Sequence, residues 1–68
     1  MEYLLKANYL VDSRHSSHKS PNSTISIYKS EQDALNEAKR LMETYPCELD
    51  PGRYAHLVQL RIYELKEY

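Results

Sequence analysis

The chain's 68 residues leave room for one domain, and a domain of that size buries only about 60% of the surface its unfolded form exposes, so little material is left to wall a deep catalytic pocket. Nine basic against ten acidic side chains give a net charge of −1, which excludes a global field drawing the chain to nucleic acid or to an anionic membrane. A single cysteine, Cys47, excludes an intramolecular disulfide framework, and a mean hydropathy of −0.75 comes with no apolar run near the ~18 residues that a membrane helix needs.

The opening residues Met1-Glu2-Tyr3-Leu4-Leu5-Lys6 show no basic leader region and no small-residue cleavage site, so a secretory signal is not expected. From Glu2 to Val11 the chain alternates: Tyr3, Leu5, Ala7, Tyr9 and Val11 fall on one side, and Glu2, Leu4, Lys6, Asn8 and Leu10 on the other. Period two over ten positions predicts a strand with one buried face. The next twelve residues, DSRHSSHKSPNS from Asp12 to Ser23, hold no large apolar side chain and read as a long polar loop.

Thr24 to Lys29 (TISIYK) predicts a second strand, with Ile25 and Ile27 on one side and Ser26 and Tyr28 on the other. Ser30-Glu31-Gln32-Asp33 is a helix start, with Ser30 placed to cap backbone amides and acidic residues at the positive end of the dipole. Ala34, Leu35, Ala38, Leu41, Met42 and Tyr45 then recur at three- and four-residue spacing as one apolar stripe, and Pro46 stops the helix near Thr44. Asp50-Pro51-Gly52-Arg53 is a tight turn, with Gly52 supplying a positive φ. Alternation resumes from Tyr54 to Tyr68, with Val58, Leu60 and Ile62 on one side and Leu57, Gln59, Arg61, Tyr63 and Leu65 on the other.

Strand, strand, helix, strand predicts an α+β domain: a three-stranded antiparallel sheet, ββαβ, with one helix on one face and spatial order 2-1-3, or 1-2-3 as the alternative. Leu5, Ala7, Tyr9, Val11, Ile25, Ile27, Val58, Leu60 and Ile62 are expected beneath the helix. The uncovered face is then expected to carry Leu4, Leu10, Tyr28, Leu57, Arg61, Tyr63 and Leu65, too oily for a plainly solvated surface. These seven are the candidate partner-binding residues. Scattered apolar side chains are also normal on any surface. A homodimer through this face or a foreign partner are the readings that give it a role.

No chemistry-bearing pattern competes strongly. His15-x-x-His18 has a spacing seen in metal sites, which want three or four ligands, and no metal or cofactor is expected. Cys47 lies beside Glu48, which disfavours a thiolate. The serines lie in a polar stretch without a glycine elbow, and Gly52 is the only glycine, so no catalytic residue is assigned. Nucleic acid is the alternative partner. Lys6, Arg14, His15, His18, Lys19 and Arg61 would supply cations, and sheet aromatics would stack bases.

The stretch ISIYKSEQDALNEAKRLMETY, residues 25–45, runs a strand directly into a Ser-capped helix with Ala at four-residue spacing. In this it resembles small phage-encoded inhibitors of the strand-strand-helix-strand type, some anti-CRISPR proteins among them. The resemblance covers about a third of the chain and is architectural. It implies an inhibitor that blocks a larger host machine, a protein or ribonucleoprotein, by occupying its surface. The lone Cys47 reads as a reduced, cytosolic thiol, so a cytoplasmic place (the host's, if phage-encoded) and no membrane partner are expected.

Overall fold

The structure, a computed structural model, describes residues 1–13 and 19–66. Five elements follow one another: β1 (Glu2–Ser13), β2 (Lys19–Tyr28), α1 (Glu31–Thr44), β3 (Cys47–Asp50) and β4 (Arg53–Leu65). The α+β class, the helix limits and the central place of the first strand follow the sequence expectation. The sheet differs from it. It has four antiparallel strands in the order β2-β1-β4-β3, not three. The extra strand, CELD, is too short to show a period. It forms because the Pro51-Gly52 turn, with Gly52 at φ 89°, folds it back onto β4. Arg53 Nη1 donates to Asp50 Oδ2 across that turn at 2.6 Å.

The expected loop over Asp12–Ser23 is also corrected. Asp12 and Ser13 continue β1, and Lys19 to Ser23 begin β2, with Val11 opposite Ser20 and Asp12 opposite Lys19. An edge strand is held by backbone hydrogen bonds, so it needs no apolar side chains to form. Residues 14–18 lie outside the described residues.

The helix starts where Ser30 Oγ accepts from the Asp33 amide at 3.1 Å. Its buried face is Ala34, Ala38 and Leu41, set against Leu5, Ala7 and Tyr9 of β1, with Tyr28, Tyr45, Leu57, Leu60 and Ile62 packed around them. Leu35 and Met42, expected in the stripe, are exposed on its flank. Three small or medium residues seat the helix on the sheet, and the stripe is narrower than its sequence spacing implies. At the helix's far end the Tyr45 ring tilts onto Tyr9, centroids 4.9 Å apart.

Fourteen helical residues span about 21 Å, whereas the twelve residues of β1 span about 40 Å, so the helix shields only half the sheet's length. The molecule is accordingly long, 48 × 22 × 14 Å, with a radius of gyration of 14.1 Å where a compact chain of this length has about 11 Å.

Candidate functional site

In an antiparallel ladder, directly opposed residues share a face, so the register determines what the uncovered side presents. Leu5 stands opposite Ser26 and Ile62, and Ala7 opposite Thr24 and Leu60. These rows lie under the helix. The intervening rows lie on the open side. Leu4 stands between Ile27 and Tyr63, Lys6 between Ile25 and Arg61, and Asn8 between Ser23 and Gln59. Leu10 stands between Pro21 and His56, and Leu65 faces Glu2 at one end of the sheet.

Two of the expected face assignments are therefore reversed, for two different reasons. On β2 the isoleucines face outward, because Lys6 rather than Leu5 meets Ile25. A one-residue change of register exchanges the whole set between faces. Ile25 and Ile27 remain 61% and 56% exposed, while Tyr28 turns in to pack against the core. On β4 the cause is a bulge: Asn8 faces Gln59 and Tyr9 faces Leu57, so Val58 is the extra residue. The bulge resets the alternation, sending Leu57 under the helix and leaving Val58 64% exposed on the open side. Of the sequence-derived contact residues, Leu4, Leu10, Arg61, Tyr63 and Leu65 share the open face with Lys6. Tyr28 and Leu57 do not. Ile25, Ile27 and Val58 are the members that the sequence reading missed. The β-branched run on β2 was visible, but nothing in sequence marks the bulge.

The face is banded. Ile27, Leu4, Tyr63 and Leu65 make one apolar end. Leu10, Pro21 and Val58 make the other, where they border a shallow concavity of about 290 Å³ with Asn8 and Ser23. Between them runs a polar band. Lys6 and Arg61 are neighbours of like charge, and the Asn8 and Gln59 amides meet at 3.1 Å. With the Gln59 amide oxygen turned toward Arg61, the guanidinium donates to it from Nε and Nη2 at 2.9 Å, which holds that cation close to the sheet.

The nucleic-acid set is not brought together. Lys6 and Arg61 adjoin in the middle of the sheet, Lys19 lies six rows away at one end across from Asp12, and Arg14, His15 and His18 lie outside the described residues. Among the described residues no group of three or more His, Cys, Asp or Glu side chains gathers as a metal site would require, and no helix is long and apolar enough to cross a membrane. On the helix, Arg40 binds the Glu37 carboxylate and holds it below the usual carboxylate range, chiefly by that hydrogen bond. No protein family, curated protein or solved structure matches the chain.

Proposed function

We propose that the chain is a small binding module, non-enzymatic, that inhibits or regulates a larger protein or ribonucleoprotein by covering part of its surface, with the open sheet face as the contact. One observation carries this reading. Among the described residues no element packs on one whole sheet face, yet that face presents Leu4, Leu10, Ile25, Ile27, Val58 and Tyr63, the last 43% exposed. Covering roughly 300 Å² of such surface at ~25 cal/mol per Å² is worth several kcal/mol, comparable with the whole stability of so small a domain. The banding suits a target with apolar ridges flanking an acidic strip, which would neutralise Lys6 and Arg61.

Tyr63 is the best anchor, since a rigid aromatic that desolvates on contact tends to dominate binding energy. Tyr63→Ala is expected to weaken target binding by roughly 1–3 kcal/mol without unfolding the domain, while Met42→Ala on the helix flank leaves it unchanged. The measurement is quantitative co-purification from the host lysate, comparing both variants with wild type. Equal recovery with Tyr63→Ala removes the open face from the reading.

The adjoining Lys6 and Arg61 favour one second reading, a nucleic-acid regulator using the same face. It requires binding to an unrelated oligonucleotide that weakens steeply with added salt and further on Lys6→Ala or Arg61→Ala. A gel shift at two salt concentrations separates the two readings.

A further inference from the structure

The two edges of the sheet are built differently. The β3 edge is four residues long, carries Glu48 and Asp50, and has a register shift between them. Short length, charge and irregularity are the usual means of keeping an edge from pairing with another chain. The β2 edge has none of these over most of its length. It pairs only with β1 among the described residues, and its ladder to β1 runs without a shift from Tyr3–Tyr28 to Asp12–Lys19. Lys19 and Pro21 guard its start and Lys29 follows its end. The seven residues between, Asn22 to Tyr28, are NSTISIY, without charge or proline and exposed except for the final half-buried tyrosine.

We propose that this edge pairs antiparallel with β2 of a second copy of the chain, about a two-fold axis centred on Ile25. A segment with no charge is self-complementary, because no like charges meet across the axis. Pro21 has no N–H to give a ladder, and the register that uses every residue between Pro21 and Lys29 matches position 22 with 28, 23 with 27 and 24 with 26. It sets Ile25 against its own copy on the open face, with Ile27 of each chain diagonal to it.

Among the described residues the helices leave room for this pairing. Each helix rides over β1, so the two helices share one face about three strand spacings apart, ~14 Å, beyond the 8–10 Å of packed helices. The free edges that remain are the two blunted β3 strands, so growth stops at the dimer.

The long sheet also leaves surface for a partner to cover: the chain exposes 5198 Å², where a compact monomer of 8.1 kDa exposes about 4,500 Å². The dimer would be a continuous eight-stranded sheet with its two open faces joined side by side. This inference is independent of what the open face binds.

Sedimentation equilibrium from micromolar to millimolar concentration is the test. Wild type is expected to be a monomer–dimer equilibrium. Ile25→Glu, which gains Lys6 as a cross-strand neighbour within its own chain and sets two carboxylates opposite each other in the dimer, is expected to weaken association at least about tenfold, with an unchanged far-UV spectrum. Tyr63→Ala is expected to dimerise normally. Should Ile25→Glu misfold, Ile25→Cys in a Cys47→Ser background replaces it. A short bis-maleimide linker should then join two chains, and Leu35→Cys in the same background should not be joined. A wild type that stays monomeric to millimolar concentration, or a dimer that Tyr63→Ala weakens as much as Ile25→Glu does, overturns the proposal.

Discussion

Tyr45 shows how a single side chain ties the helix end to the sheet. Its backbone N–H closes the last turn on the Leu41 carbonyl at 3.1 Å, and its ring lies tilted on Tyr9. Burial, with Tyr9 and Cys47 nearby, pushes its hydroxyl above the ordinary tyrosine value near 10. A group whose folded pKa is raised contributes stability that is fully present below its unfolded pKa and is lost as pH climbs through the folded one. In that window the unfolded chain has already released the proton that the folded chain still holds. Stability should therefore fall as pH rises above about 10, and Tyr45→Phe should flatten that part of the curve. Denaturant melts at a series of alkaline pH values measure the effect, and an equally steep decline in the variant would assign it to the other tyrosines. The same scale separates what sequence reveals from what it conceals. That Leu5, Ala7, Tyr9, Val11 and Leu41 are buried was legible, because each repeats at its element's own period. That Tyr28 is half-buried while Ile25 and Ile27 are not was illegible, because hydropathy ranks the isoleucines first and only the pairing register overrules it.

Among the elements, the bulge on β4 decides the composition of the candidate site. With Val58 as the extra residue, Leu57 and Ala55 stay on the helix side in step with Leu60 and Ile62, although strict alternation from Leu60 would have pointed both away. A deletion test follows from this. Removing Val58 leaves an unbroken ladder in which Leu57, Leu60 and Ile62 keep their partners, so the variant should fold and melt cooperatively. Removing Arg61 also leaves an ordinary ladder, but one that sets Gln59 inward and Leu60 outward, and it should not fold. Circular dichroism melts distinguish the two deletions, and a folded Arg61 deletion would mean that the bulge is not fixed at position 58. The helix, the Pro51-Gly52 turn and the first strand were all legible, each having a local signal: a cap, a positive-φ glycine, an alternation. The start of β2 and all of β3 had none. Both are held by backbone pairing to a neighbour remote in sequence, which leaves no periodic trace in side chains.

At the scale of the whole molecule, one helix sits on half of a long sheet, and among the described residues eight hydrophobic side chains are buried, four of them alanine. So small a core implies modest stability, and anything that binds only the folded form would raise the apparent stability by mass action. If the covering partner is a second chain paired along β2, unfolding also separates two molecules, and the melting temperature must depend on concentration. For a chain of this length, with about 0.7 kcal/mol of unfolding enthalpy per residue, a hundredfold increase in concentration above the dissociation constant should raise the melting temperature by roughly 5–10 °C. Ile25→Glu should show a weaker dependence that sets in at about tenfold higher concentration, because a monomer's unfolding has no concentration term. Tyr63→Ala should retain the wild-type dependence, since it alters the open face and leaves the edge intact. Calorimetry at several concentrations therefore distinguishes edge pairing from face-to-face association: in the second, Tyr63→Ala would weaken the concentration dependence as Ile25→Glu does, because Ile25 and Tyr63 both lie on the open face.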